Sequence, residues 1–277
     1  MKGQLIFGIL LLGAHFGFSF LNEHQRIING NLAVAKQFPY QVFYDFLNVS
    51  NLHMPRWARN CGGSLISKRI ILTAAHCFDK PNLYPIKIYF GAVDISNQRE
   101  IGQHQLLVNR ANVVIHEEYD KVKIYNDIAL IKLPIDIAFN EYIRPVKLPQ
   151  IGIIYPTEAI ASGWGSIRVL ANGTDIYDYK LRYSHMQILS HAECMEQLPE
   201  KFPFSSIICL APSQNAPCRG DSGGPLTVSH EGDIVLLGIT SYGITEDCTD
   251  EFPEVYTRVA SYLNWIHDNA GAHNLEV

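Results

Sequence analysis

Ser222 sits in the run Cys218-Arg219-Gly220-Asp221-Ser222-Gly223-Gly224-Pro225, between an acid and two glycines and close to a cysteine. The run is too rich in glycine for a helix or a regular strand, and glycine permits positive φ and close approach of backbone to a substrate. Such a loop can turn consecutive N–H groups toward one point, the arrangement that stabilises an oxyanion. A serine there becomes a nucleophile only if a base takes its proton. A bare Gly-Asp-Ser-Gly is most simply a tight turn with a surface serine, so the octet needs a histidine and an acid to complete it. His76 closes the β-rich run Leu72-Thr73-Ala74-Ala75-His76-Cys77, and Asp127 stands just ahead of Ile128-Ala129-Leu130. Singly, His76 reads as a structural histidine and Asp127 as a turn or strand-start residue. Together the three types can carry nucleophilic acyl transfer: serine attacks, imidazole moves the proton, and carboxylate orients the imidazole.

Short β-rich runs must position these side chains. They cover Gln41 to Phe46, Ser64 to Thr73, Ile86 to Phe90, Asn112 to Ile115, Ile128 to Leu133, Met186 to Leu189, Ile234 to Ser241 and Val255 to Val259. Clusters of Gly, Pro, Asn and Asp separate them, which argues for all-β barrels or sandwiches. One helix is expected, Ala260 to Asn269, with Tyr262, Leu263, Trp265 and Ile266 on an inward face. Pro134 to Gln150 reads as a crossover between two halves of similar size, or as a long loop in one domain. At 277 residues the chain can bury a large core.

A net charge of −5 gives no reason to expect nucleic acid or an anionic membrane as partner. Residues 1–19 read as a secretory signal: Lys2, the apolar stretch Leu5 to Leu12, and Gly17-Phe18-Ser19 as the cleavage site. That stretch is well short of the ~20 residues a membrane-spanning helix needs. The six cysteines Cys61, Cys77, Cys194, Cys209, Cys218 and Cys248 suit an oxidising compartment and allow 15 pairings. No metal-ligand spacing competes with disulfides. Sequons at Asn48 and Asn172 suit exposed loops of a secreted glycoprotein.

The order His76, Asp127, Ser222, each in its own context, resembles the chymotrypsin–trypsin family of serine endopeptidases. Arg26-Ile27-Ile28-Asn29-Gly30, Cys61-Gly62-Gly63-Ser64-Leu65, Gly163-Trp164-Gly165 and Ser241-Tyr242-Gly243 extend the likeness from Arg26 to about His267. It implies an all-β fold of two antiparallel six-stranded barrels, with the active site in the cleft between them and a C-terminal α-helix. The peptidase domain would span 27–277, with barrel one over about 27–140, barrel two over about 141–261 and the helix over about 260–269. It implies Ser222 as nucleophile, His76 as base and Asp127 as orienting acid, with Gly220 and Ser222 N–H groups as oxyanion hole. Ser241 resembles the family serine that hydrogen-bonds the acid. The disulfides implied are Cys61–Cys77, Cys194–Cys209 and Cys218–Cys248.

The same likeness makes residues 20–26 an activation peptide cut after Arg26 by a trypsin-like protease, freeing the Ile27 ammonium to pair with Asp221. Substrate would meet Ala216, Pro217, Arg219, Ser241, Tyr242, Gly243 and Glu254. Ala216 stands where trypsins carry Asp, which argues against trypsin-type preference. Gly243 leaves the pocket entrance open, and Glu254 stands deep in the pocket where many relatives have glycine. Cleavage after aromatic residues and Leu is expected first, mixed aromatic and basic specificity second. Arg219 at the entrance would favour acidic residues near the scissile bond, or lie solvated. A narrow regulatory protease and a non-catalytic homologue are the other functional readings. The partners implied are protein and peptide substrates, the activating protease and protein protease inhibitors, met by a monomer. No cofactor or metal is expected, and Ala92 replaces the Glu that opens the calcium loop of some relatives. The Asp45 to Asn60 loop is longer than in typical relatives.

Overall fold

Apolar residues on both faces mark Ile70–Thr73 and Ala129–Lys132, two strands buried almost throughout. The computed structural model describes residues 30–48, 56–79, 83–170, 172–198, 204–213, 215–243, 248, 252–271 and 275. The expected signal segment, Arg26 and Ile27 lie outside the described residues. In chain order the strands are β1 Asn31–Leu32, β2 Gln41–Asn48, β3 Arg56–Leu65, β4 Ile70–Thr73, β5 Leu83–Phe90, β6 His104–Val108, β7 Val113–Ile115 and β8 Ala129–Lys132. There follow β9 Glu158–Gly163, β10 Ser166–Val169, β11 Asp175–Tyr177, β12 Arg182–Gln187, α1 His191–Gln197, β13 Ile207–Leu210, β14 Pro225–His230, β15 Asp233–Tyr242, β16 Glu254–Arg258 and α2 Leu263–Ala270.

The strands form two curled antiparallel sheets of seven strands each and the small β10–β11 hairpin. The first sheet runs β6-β5-β2-β3-β4-β8-β7. Its two edge strands, β6 and β7, are consecutive in the chain and separated by a 3-10 turn at Arg110–Asn112. One bent strand therefore serves both edges, which reduces seven segments to the six strands that the resemblance implied. The second sheet runs β1-β12-β9-β14-β15-β16-β13. Leu189 N–H donates to Cys209 O at 2.9 Å and Ala211 N–H to Gln187 O at 2.8 Å, which joins the ends of β12 and β13. The extra segment is β1, which comes from the start of the described chain and pairs with β12 of the second sheet.

Two apolar cores support the barrels, the first also taking in Leu236 and Ile239 of β15. Tyr44, Phe46, Leu72, Phe78 and Leu130 lie in the first, and Ala161, Met186, Leu226 and Tyr256 in the second. The segment after β8 follows the first barrel and then meets the second. Val146 N–H donates to Leu65 O, and Lys147 exchanges backbone hydrogen bonds with Ile234 and Leu236 of β15. The β2–β3 hairpin extends to the pair Asn48 and Arg56; residues 49–55 lie outside the described residues.

Three expectations need correction. Ser64 to Thr73 is not one run, because Ser67-Lys68-Arg69 turns the chain between β3 and β4, with Arg69 N–H donating to Ser67 Oγ at 3.2 Å. The strand expected at Met186 to Leu189 begins earlier, at Arg182. Its buried Ser184 and Met186 alternate with exposed His185 and Gln187, so no apolar run announces it. The terminal helix starts as a 3-10 turn at Val259–Tyr262 and becomes α-helical only at Leu263. Gly271, with φ of 86°, ends it.

Candidate active site

His76 is placed by the end of β4. Thr73 Oγ1 donates to Gly62 O at 2.8 Å and shares a second hydrogen bond with Tyr44 Oη. Three residues on, His76 opens a 3-10 turn that the Cys61–Cys77 disulfide fastens to β3. Asp127 is aimed by Asn126, which adopts φ of 54°, a left-handed conformation that Asn tolerates better than most residues. Asn126 is pinned there, donating through Nδ2 to Glu118 O and accepting from Tyr262 Oη.

Asp127 is 1% exposed. Its Oδ2 accepts from His76 Nδ1 at 2.7 Å and from Ser241 Oγ at 2.5 Å, while Oδ1 accepts from His76 N–H at 2.9 Å. Thr257 Oγ1 donates to Asp127 O at 2.8 Å. The acid of the first barrel is thus held by β15 and β16 of the second. Burial pushes the Asp127 carboxyl up, but the His76 charge and the hydrogen bonds outweigh it and hold it below the usual carboxylate range. Burial likewise pushes His76 down, and Asp127 outweighs that and raises it above the ordinary imidazole value.

The serine octet lies against this assembly. A Cβ on Gly223 would come within 2.2 Å of Thr73 Oγ1 and 2.6 Å of Gly62 O, so only glycine fits. Gly62 N–H donates to Ser222 O at 2.8 Å. These contacts bring Ser222 to the end of β4 that carries His76. Gly220 has φ of +100°. Among the described residues, no acceptor takes the N–H of Gly220 or of Ser222. Asp221, 3% exposed, accepts from Gly165 N–H at 2.7 Å and Cys218 N–H at 2.9 Å. Cβ atoms on Gly163 or Gly165 would lie 2.0 and 2.3 Å from its carboxylate oxygens, which explains both glycines of Gly163-Trp164-Gly165.

A cavity of about 260 Å³ opens beside Ser222, lined by Pro217, Arg219, Ser241, Tyr242, Gly243, Glu254 and the Cys218–Cys248 bridge, with Thr240 completing it. Ala216 is fully buried behind Pro217 and does not line it. Glu254 is 7% exposed, and burial, aided by the Asp221 charge, pushes its carboxyl up to about 7. The Arg219 guanidinium reaches Asp175 of β11, with Nη1 3.3 Å from Oδ2.

The sequence matches the Trypsin family over residues 27–266. It is 35% identical over 249 residues to a chymotrypsin of Phaedon cochleariae, covering 88% of this chain and 82% of that protein. It is 32% identical over 252 residues to Trypsin-1 of Astacus astacus, covering 88% of this chain and all of that one. Coagulation factor XI of Bos taurus is 32% identical over 250 residues, 87% of this chain but 37% of that longer protein. The chain belongs to the trypsin family of serine proteases. It is a serine endopeptidase, a hydrolase whose family takes protein substrates and protein inhibitors as partners.

Trypsin-family membership came with three implied disulfides, and all three are formed: Cys61–Cys77, Cys194–Cys209 and Cys218–Cys248. Among the described residues, the grouping of donors tight enough for a metal is Cys61, His76 and Cys77, and both its sulfurs lie in one disulfide. The loop after Ala92 closes on its own Glu100, whose carboxylate accepts from the N–H groups of Val93 and Asp94 at 3.0 Å each. Asn172 is exposed at the tip of the β10–β11 hairpin; Asn48 ends β2, and the rest of its sequon lies outside the described residues. Thr257 and Asp175 were not anticipated. Each is one polar residue in a short strand, and only tertiary contact distinguishes it.

Proposed function

We propose that the chain is a secreted serine endopeptidase, made as a zymogen, in which Ser222, His76 and Asp127 hydrolyse peptide bonds through an acyl-enzyme. The observation that carries this reading is the Asp127 carboxylate, buried yet kept ionised and bound to His76 Nδ1, with the octet packed on the His76 strand. Ser222 Oγ attacks the scissile carbonyl carbon as its proton passes to His76 Nε2. The carbonyl oxygen becomes an oxyanion facing the N–H groups of Gly220 and Ser222, each such donor contributing roughly 2.7–4 kcal/mol in comparable sites. As the C–N bond breaks, the His76 proton leaves with the amine. Water then attacks the ester by the reverse sequence, giving the carboxylic acid and free Ser222. Asp127 holds the tautomer with Nδ1 protonated and stabilises the imidazolium.

Cleavage after Arg26 would free the Ile27 ammonium to pair with Asp221, whose carboxylate lies beside Gly163 and Gly165. Before that cut no free ammonium would stand at Ile27, so the oxyanion loop of the uncut chain would lack this ion pair. Free α-amino groups titrate near 7.7–8.0, and pairing raises that value. The pair is therefore complete at lower pH, and activity declines as pH climbs through the raised value. Secretion is supported by the signal-like residues 1–19, three disulfides and the exposed Asn172 sequon. Among the described residues, no helix is long and apolar enough to cross a membrane. The expected partners are an activating protease of trypsin-like preference, protein substrates and inhibitors, met by a monomer.

The preferred cut follows aromatic residues and Leu, because Gly243 leaves the cavity open to large side chains. Glu254 favours mixed aromatic and basic specificity as the second reading, since its carboxylate lines the cavity. One experiment tests both proposals: treat wild type and Arg26→Gln with trypsin, remove the trypsin, and measure kcat/KM on Phe, Leu, Lys and Arg peptides. Wild type should gain activity, favouring Phe and Leu, and Arg26→Gln should stay inactive. Full activity of Arg26→Gln contradicts the zymogen scheme, and strong Arg selectivity contradicts the preference.

A further inference from the structure

The cavity beside Ser222 is lined by a buried carboxylate, Glu254. Glu254 opens β16 opposite Leu210 of β13, and both its oxygens lie against Gly243, where a Cβ would be 3.0 Å from each. Among the described residues, no cation and no hydrogen-bond donor approaches it. The groups facing it are Asp221 from the octet, Tyr256 from its own strand and Tyr242 from β15. Arg219 lines the same cavity, but its guanidinium is turned to Asp175. Residues 244–247 and 249–251, which include four further acids, lie outside the described residues.

We propose that Glu254 is a charge selector for the substrate side chain: its neutral acid admits aromatic and leucine side chains, and its carboxylate admits lysine and arginine. A ring entering beside the ionised form would strip water from a charge and offer it no partner, whereas a cation supplies that partner. Beside the neutral acid the balance reverses, because the buried cation is then the unpaired charge. Burial and the Asp221 charge hold the Glu254 carboxyl at about 7, so both forms are populated near neutral pH. The chain would thus have two substrate classes, with pH setting the proportion. This rests on the protease reading and deepens it.

The test is the ratio of kcat/KM for a Lys peptide to that for a matching Phe peptide, followed with pH in wild type and Glu254→Gln. Titration of His76 affects both substrates and cancels in the ratio. In wild type the ratio should rise about tenfold or more between about pH 5.5 and about pH 8.5, with its midpoint near 7; in Glu254→Gln it should stay flat. A flat wild-type ratio, or an equal rise in the variant, overturns the proposal. Wild type alone provides a second readout, independent of how the variant folds. Inhibition by benzamidine, a permanent cation over this range, should tighten with pH while inhibition by benzyl alcohol does not. Parallel behaviour of the two probes overturns the selector. An enzyme that labels at Ser222 with an organophosphate yet keeps a constant ratio overturns the selector alone. A chain that does not label overturns the protease reading as well.

Discussion

Asp127 and Glu254 are both buried carboxylates, 1% and 7% exposed. Asp127 accepts from His76 N–H, His76 Nδ1 and Ser241 Oγ, and these donors outweigh burial and keep it ionised. Among the described residues no such donor reaches Glu254, and Asp221 adds a like charge, so burial prevails and the carboxyl rises to about 7. Burial alone does not determine what a buried acid does; the count of donors aimed at it does. The donors around Asp127 come from both barrels, so its charge is fixed by the folding of the whole chain. Glu254 lines the cavity beside Ser222, where on the proposed reading a substrate side chain would provide a partner or leave it absent.

Replacing Asp127 by Asn should give the largest effect. The amide cannot hold the productive His76 tautomer, and kcat should fall roughly 10⁴-fold, the magnitude established for triads of this family. Steady-state kinetics with an active-site titration would check it, and a loss under tenfold would break the contrast between the two acids. Wild-type kcat/KM should also fall as pH drops through a value above the ordinary imidazole pKa, since His76 is raised and must be neutral to accept a proton.

Stability should separate the acids by sign. The folded pKa of Glu254 is raised, so its stabilising contribution is complete below the unfolded value of 4.5 and is lost as pH rises through about 7. Glu254→Gln should therefore gain stability over wild type across that window, on the order of 2 kcal/mol above neutral pH. Asp127 is lowered, so its contribution is present above the unfolded value of 3.8 and is lost as pH falls through the folded one. Denaturant melts of both proteins at several pH values would show the gain; an identical pH profile for wild type and Glu254→Gln would contradict it.

The smallest effect should come from Ser241→Ala, which removes one of three donors from Asp127. At the low end for a hydrogen bond to a charged group, about 1.5 kcal/mol, kcat should drop about tenfold with KM little changed. No change in kcat would show that the donor set around Asp127 holds redundancy that the contrast does not allow.

The chemistry was legible in the sequence because its residues cannot be moved. Gly223 must be glycine against Thr73, and Gly163 and Gly165 must leave room for Asp221, so these glycines mark the site once His76 and Asp127 are read with them. Strands apolar on both faces, such as β4 and β8, were legible for the same reason that they are buried. Strands with one wet face, such as β12, gave no run to read. Helix α1 went unseen although Ser190 and Glu193 form a capping box, because seven residues carry too little apolar periodicity to stand out. What Arg219 faces was beyond reach, since Asp175 lies 44 residues away and meets it only through the β10–β11 hairpin.

The most direct measurement is intact-protein mass spectrometry of the activated chain after exposure to diisopropyl fluorophosphate. The account predicts a single phosphoryl adduct located on Ser222, absent from Ser222→Ala and greatly slowed in His76→Ala. Peptidase activity that persists without an adduct on Ser222, or an adduct on another residue that abolishes it, would contradict the account.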